Sequence, residues 1–487
     1  MKEKHGHSAN PHQTSIKSEG QLPLTFSTIL RSICRFDIII LFLVLFLVYN
    51  TVTGVGFISG DVAPASILPI ALITNQNVYL DFATAFISSP DYSYAFTFVH
   101  GHYVSIFPVV TPILVTPLYA ISYILCNVFT VPFGDKDFFI LAKSSAAFVA
   151  ALAGVFVYLS GKELFSKRIA ILTTFVFAFA TSTWSISSQA LWQHGTAELL
   201  LAASIYLIIR NEKKESRIHI LVLGILSGLV IFNRPPDSIL LLPILVYTIW
   251  YQRKKLQFYL FGGLMGALPF IYYNYSLFGN IFGGYAENLS LFVLNTNFSV
   301  HFIGLLVSPN AGLFIFCPVL ILSIFGFYLI WKEPASCKKT LLLIAGLAVV
   351  FEIILYSFYT YWAASVFCFG PRYLTDLIPI LCLSIGYFLE EWFGKGASRH
   401  LGLKKWVVSI IVCGLVVSSV CIQFVGAFYY SWSSNENQAM NDDRVWNLSD
   451  SIIVNSYIAG SQAVPGVFVY TLPPLPPLLE YSFPQKT

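Results

Sequence analysis

Runs of about twenty apolar residues recur from one end of this chain to the other, and no other feature limits its fold so strongly. Asp37 to Tyr49 extended through Val55, Leu341 to Phe358 and Val407 to Tyr430 are examples. A helix of about twenty apolar residues crosses the hydrocarbon core of a bilayer with its backbone fully hydrogen-bonded. Hydrophobic residues make up 56% of the 487 positions and charged residues 11%, against about 25% charged in soluble domains. Mean hydropathy is +0.72. The period-two alternation of a transmembrane barrel is absent. The expected class is an all-α polytopic membrane protein.

The basic residues set the topology. Segments 1–36, 162–168, 210–217, 252–255, 332–339 and 395–405 hold 22 of the 28 Lys and Arg. Short loops rich in Lys and Arg stay in the cytoplasm. That places spans at roughly 37–58, 138–160, 169–187, 196–210, 218–233, 238–252, 256–275, 310–331, 340–358, 373–392 and 406–430. The expectation is a bundle of about 11 (±2) crossings over residues 37–430. Residues 1–36 read as a disordered cytoplasmic tail with three His (His5, His7, His12), 59–137 as a long first outer loop with interfacial helices, and 431–487 as an extracytoplasmic tail. Tyr103 to Thr130 is apolar enough to span, yet a crossing there would put Lys162, Lys167 and Arg168 outside. It reads as interfacial or re-entrant helices broken by Pro108, Pro112 and Pro117.

Chemistry-bearing residues gather on the predicted outer side. Asp61 follows Gly60 at the mouth of the first span and opens more than forty residues without Lys or Arg. An ionisable group beside the apolar zone is a functional candidate by default; the alternative is a cap on a helix starting near Val62. Arg372 stands beside Gly370-Pro371, and an Arg fork suits phosphate; the alternative is an ion pair with Asp376. Arg234, before Pro235-Pro236-Asp237, is a second phosphate candidate or a partner of Asp237. His194 and Glu198 share a helix face at a spacing of four, as substrate contacts or as a pair. Asp81, His102, Tyr285 and Tyr373 complete the candidate substrate-binding set.

Several classes are disfavoured. No P-loop, dinucleotide fingerprint, HExxH or GxSxG with partners occurs. The 8 Cys form no CxxC and imply no disulfide framework. The net charge of +4 follows from the cytoplasmic bases and gives no ground for a nucleic-acid partner. No internal repeat is evident, which weakens a symmetric-transporter reading.

The ordered motifs resemble the C-type integral-membrane glycosyltransferases (GT-C), nearest the bacterial branch related to protein mannosyltransferases and aminoarabinose transferases. They are Asp61 after the first span, Gly161-Lys162-Glu163-Leu164-Phe165, Trp192-Gln193-His194-Gly195, Asn233-Arg234-Pro235, Gly312-Leu313-Phe314 before Pro318, Phe369-Gly370-Pro371-Arg372-Tyr373-Leu374, Gly426-Ala427-Phe428-Tyr429-Tyr430 and Arg444-Val445-Trp446-Asn447. The resemblance runs from about Phe57 to Asn447. It implies a polyprenyl-phosphate sugar as donor and a first-loop acid, here Asp61, as the catalytic centre. The family often carries a paired acid, ExD or DE, where this chain has Gly60-Asp61, and commonly a basic residue near Ser66. A divalent metal on the first loop is thus disfavoured, and no cofactor is certain.

The expected activity is hexosyl or pentosyl transfer from that lipid-linked donor to a glycan, lipid or protein acceptor. The place is the extracytoplasmic face of the plasma (inner) membrane, among its lipids, with the N-terminus cytoplasmic. The alternative is a transporter or flippase for a lipid-linked or small anionic substrate.

Overall fold

A computed structural model of the chain describes residues 36–51, 59–129, 135–294, 297–363, 368–394, 402–430 and 442–462. The N-terminal tail and Cys34 lie outside the described residues, as do Gly134, Gly396 and most of the C-terminal tail. The chain divides into two units, Met1–Leu41 and Phe42–Thr487. Of the first, only the opening turns of a helix are described; all the remaining elements belong to the second.

The longer helices are α1 (Phe36–Thr51), α2 (Ala63–Thr74), α3 (Val110–Val128), α4 (Asp135–Leu164), α5 (Lys167–Phe179), α6 (Gln193–Lys213) and α7 (Arg217–Asn233). They continue with α8 (Leu256–Phe278), α9 (Phe298–Val307), α10 (Leu322–Lys332), α11 (Cys337–Ser357), α12 (Ile378–Phe393), α13 (Leu403–Phe428) and α14 (Ile452–Gln462). Among the described residues, 6 helices are long and apolar enough to cross a membrane, and several shorter apolar helices accompany them. Side chains such as Leu260, Phe261, Ile410 and Val417 are exposed on the bundle surface, where a bilayer supplies the apolar surroundings they require. The protein is an all-α polytopic membrane protein.

Local sequence explains many of the boundaries. Ser216 Oγ accepts from the Ile218 amide at 3.2 Å at the start of α7, and Ser336 Oγ accepts from the Lys339 amide at 3.1 Å at the start of α11. Gly279 ends α8 in the left-handed region at φ 69°. α7 and α8 are joined by glycines spaced four apart: Gly224 and Gly228 face Gly262 and Gly266. A Cβ at Gly224 would lie 2.1 Å from the Tyr259 carbonyl oxygen, and one at Gly262 2.1 Å from that of Leu221. Only glycine permits this approach of two membrane helices.

The segment between α1 and α4 departs from expectation in two ways. α3 runs unbroken from Val110 to Val128 with Pro117 inside it, rather than as pieces broken by Pro108, Pro112 and Pro117. Pro108 precedes the helix, and Pro112 falls in the first turn, where amides lack intrahelical partners anyway. The segment also contains a hairpin, β1 (Phe96–Val99) with β2 (His102–Ser105), paired antiparallel from Phe96↔Ser105 to Val99↔His102. His100 and Gly101 turn it with φ of 52° and 90°, the two positive values that a tight hairpin turn requires. A hydrophobic core joins α2, the hairpin, α3, α4 and α8 through Leu68, Phe96, Val110, Phe138 and Phe270. Thr111 at the head of α3 donates to Asn233 Oδ1 and Thr196 Oγ1, both at 2.9 Å.

The base-rich turns meet at one end of the bundle. Glu163 accepts from Arg210 at 3.1 Å and Lys213 at 2.6 Å, Glu215 from Lys255 at 2.7 Å, and Glu390 from Ser166 at 2.9 Å. α6, α7 and α12 run from that end to the other, where Arg234, His194 and Arg372 lie. Residues 442–462 pack back on the bundle: Asn310 donates to the Arg444 carbonyl and accepts from the Ile452 amide, each at 2.8 Å.

Candidate active site

Asp61 sits in the turn before α2 and does not cap that helix, whose start has no side-chain cap. Its carboxylate is taken up elsewhere. Oδ2 accepts from Arg372 Nη1 at 2.6 Å, and Oδ1 accepts from the Tyr94 hydroxyl at 2.8 Å. Gly60 makes the second contact possible, because a Cβ there would lie 2.5 Å from the Tyr94 ring. Val62 anchors the turn from below in a small core with Ile186, Ala190, Trp192 and Cys368. Burial first, and the Asp61 carboxylate second, raise the Tyr94 phenol well above its ordinary value.

Arg372 is buried yet not fully engaged. Nη2 donates to the Tyr373 hydroxyl at 3.2 Å, and the guanidinium lies over the Trp192 ring at 4.5 Å and the Tyr373 ring at 5.1 Å. Its Nε has no hydrogen-bond partner among the described residues. Gly370, at φ 92°, makes the bend that delivers it, with Phe316 only 2.6 Å from where a Cβ would stand.

The expected alternative, Arg372 with Asp376, is not what forms. Asp376 pairs with Arg234, and both its oxygens lie against His194 Nδ1, at 3.0 and 3.2 Å. The same ring nitrogen also lies against Arg234 Nη1, so Arg234, Asp376 and His194 form one cluster. Arg234 also donates to the Tyr356 hydroxyl and keeps Asp237 at 3.6 Å. His194 therefore does not pair with Glu198, which accepts from Thr183 at 3.1 Å. Asp237 and Glu352 are fully buried, and neither has a hydrogen-bond donor among the described residues.

The two clusters are stacked on each other. Tyr356, held by Arg234, lies parallel to Tyr373 at 5.0 Å, and Tyr373 accepts from Arg372. Tyr285 stands within electrostatic range of Arg234, Tyr373, Asp237 and Asp61, and burial pushes its phenol up to about 12. The structure thus brings together Asp61, Arg372, Tyr373, Arg234, His194 and Tyr285, with Glu198 one helical turn along α6 from His194. Asp81 and His102 are pinned in the hairpin region: Asp81 accepts from His102 Nδ1 and from the Tyr103 amide, both at 2.7 Å, while Tyr79 stacks on the His102 ring at 4.0 Å. Tyr94 and Tyr356 were not candidates from sequence. The only signal for Tyr94 was the glycine before Asp61, which leaves room for a ring. Among the described residues no group of three or more His, Cys, Asp or Glu could hold a metal ion.

Residues 119–273, about a third of the chain, match the family model described as dolichyl-phosphate-mannose-protein mannosyltransferase. The chain resembles a C-type membrane glycosyltransferase. The matched segment holds His194, Glu198 and Arg234, whereas Asp61 and Arg372 lie outside it. Among solved structures, ArnT from Cupriavidus metallidurans bound to undecaprenyl phosphate is similar at 13% identity and a TM-score of 0.47, over 87% of this chain and 76% of that one. ArnT from the same organism in the apo state gives 14% and 0.46 over the same shares. No curated protein matches.

Proposed function

We propose that this protein transfers a hexose or pentose from a polyprenyl-phosphate donor to a hydroxyl of a glycan, lipid or protein at the extracytoplasmic face of the inner membrane. The observation that carries the reading is the Asp61–Arg372 pair. A carboxylate is held by a guanidinium that keeps one N–H unpartnered, against two aromatic rings, at the mouth of a membrane bundle.

The chemistry follows from those groups. Each carboxylate oxygen has two acceptor sites, so Asp61 can still accept a proton while bound to Arg372 and Tyr94. As the acceptor oxygen forms its bond to the anomeric carbon, its proton passes to Asp61 and the bond from that carbon to the phosphate oxygen breaks. The lipid phosphate leaves with the electron pair, and Arg372 meets the growing charge. Phosphate is a competent leaving group, so no second acid is needed to protonate it, unlike glycosidases with their two carboxyls. One displacement inverts the anomeric centre. Tyr94 stays protonated and orients Asp61. Arg234 is already committed to Asp376 and Tyr356, so it supports Tyr373 and Arg372 from beneath rather than contacting phosphate directly.

The test uses purified full-length protein in vesicles with a radiolabelled polyprenyl-phosphate hexose or pentose and mixed envelope glycans. Expected are loss of label from the lipid, an equivalent amount of free polyprenyl phosphate, and neither with Asp61→Asn. Movement of intact donor across the bilayer without cleavage would point to the transporter reading instead.

A further inference from the structure

At the base-rich end of the bundle, away from the candidate active site, a cleft of about 210 Å³ opens between α6, the Leu242–Val246 segment, α11 and α12. We propose that it holds one anionic phospholipid, with an acyl chain inside the cleft and the phosphate on Lys338. This rests on the chain spanning a membrane and not on the proposed transfer reaction.

The walls determine what can enter. Leu201, Ile208, Ile244, Leu341, Ala345 and Leu383 line the interior and are all buried. They offer no hydrogen bond, and an apolar cavity of even about 150 Å³ stays dry while accepting apolar guests. Between membrane helices the abundant apolar guest is a lipid chain. Along α11 the lining ends at Ala345, eleven residues before Tyr356, or about 16 Å at 1.5 Å per residue. Its deep end reaches Leu240 and Ile380, three and four residues from Asp237 and Asp376, whereas its charged rim, with Glu163 and Lys338, lies at the base-rich end.

The rim determines the headgroup. Glu163 is matched by both Arg210 and Lys213, and Glu212 is turned toward Tyr247 and Cys337. Lys338 is left over. It lies 5.5 Å from the Tyr387 ring, with Glu333 in electrostatic range, and forms no ion pair among the described residues. An ammonium at the mouth of an apolar cleft complements a phosphate whose chains point into the bilayer.

The experiment titrates delipidated full-length protein with phosphatidylglycerol or phosphatidylcholine of the same chains, reading melting temperature and lipid retained by native mass spectrometry. Phosphatidylglycerol is expected to raise the melting temperature and remain bound in a one-to-one complex, while phosphatidylcholine does neither. Lys338→Glu, on the exposed rim, is expected to weaken phosphatidylglycerol about tenfold, or about 1.4 kcal/mol. Ala345→Phe, which fills the cleft, removes the bound lipid. The effect must persist in Arg372→Ala, which disables the proposed donor site. Equal response to both headgroups, unchanged binding in Lys338→Glu, or loss of the effect in Arg372→Ala overturns the assignment.

Discussion

Arg372 donates from Nη1 to Asp61 Oδ2 at 2.6 Å across 311 positions of sequence. This contact ties the turn before α2 to the Arg372–Leu377 segment before α12, so the site forms only when both segments have packed. It also gives Asp61 a partner other than its own helix. A capping acid would spend its oxygens on the amides of α2; here they receive a guanidinium and a phenol.

Asp61→Asn separates catalysis from structure. Asparagine keeps one oxygen that can accept from Arg372 while its amide turns to the Tyr94 oxygen, so the fold should survive with a modest fall in melting temperature from the lost ion pair. It cannot take a proton from the acceptor, and loss of a general base lowers turnover by roughly a hundred- to ten-thousand-fold. Near-normal turnover in the purified variant would remove Asp61 from the mechanism.

Arg372 and Asp376 should respond differently, because they belong to different pairs. Arg372→Ala is expected to weaken donor binding by about 1.5–3 kcal/mol, the worth of hydrogen bonds to a charged group, and Arg372→Lys by less, since it keeps charge but loses the fork. Asp376→Ala leaves Arg234 buried without its main counter-ion, so stability should fall by about 3–5 kcal/mol. Donor affinity and melting temperature for the three variants decide the matter. Unchanged affinity with a large stability loss in Arg372→Ala would end the phosphate role.

Tyr94→Phe tests the second hand on Asp61. Burial and the neighbouring carboxylate raise the phenol's pKa, so ionisation is pushed to higher pH and Tyr94 remains a donor throughout the neutral range. Removing the hydroxyl should lower turnover by about ten- to a hundredfold, the kinetic equivalent of about 1.5–3 kcal/mol. The pH–rate profile from about pH 6 to 9 should drop without changing shape, since the unperturbed phenol itself titrates near 10. An inflection present in the native enzyme and absent in Tyr94→Phe would show instead that Tyr94 titrates there.

The residues that gather at the candidate site were more legible in the sequence than the partners they take. Among the described residues, five of the six helices long and apolar enough to cross a membrane fall on expected spans and Val110–Val128 does not, and Asp61, Arg372, Arg234 and His194 gather at one end of the bundle. Local spacing found Asp237 beside Arg234 but misassigned the partners of Arg372 and His194. Arg372 and Asp376 are four apart, which on an α-helix would make them neighbours. The segment is a 3-10 helix from Arg372 to Leu377, where residues three apart eclipse and those four apart diverge. His194 and Glu198 do share a helix, yet each finds a nearer partner on another element. Tyr94 reaches Asp61 only because the segment between α2 and α3 folds back, which no local period encodes. Asp81 and His102, read as substrate contacts, pair with each other in the hairpin region, where Asp81 also accepts from the Tyr103 amide.

Gly228→Leu should force α7 and α8 apart where glycines let their backbones meet. A Cβ there would lie 2.6 Å from the Gly263 carbonyl oxygen, and backbone cannot yield as a flexible side chain does. The cost is expected at the upper end of overpacking, about 3 kcal/mol or more. Gly414→Leu on α13 is the control, because nothing lies within 4 Å of its added Cβ. Equal melting temperatures for the two variants would show that α7 and α8 do not need their glycines.

Orientation carries the functional reading, because a lipid-linked donor is needed only where soluble nucleotide sugars are absent. With 22 of 28 bases in six segments, the positive-inside rule predicts a cytoplasmic Glu163–Arg210–Lys213 end and an outer Asp61–Arg372 end. In a background lacking the 8 native Cys, an impermeant maleimide should label Ser290→Cys and Ser431→Cys on intact cells. It should reach Ser216→Cys and Gly396→Cys only after permeabilisation. Ser290 is the informative position, being exposed and five residues from Tyr285 at the candidate site. Labelling of Ser216→Cys but not of Ser290→Cys on intact cells would turn the site to the cytoplasm. The case for a polyprenyl-phosphate donor would then fail even if Asp61 and Arg372 proved essential.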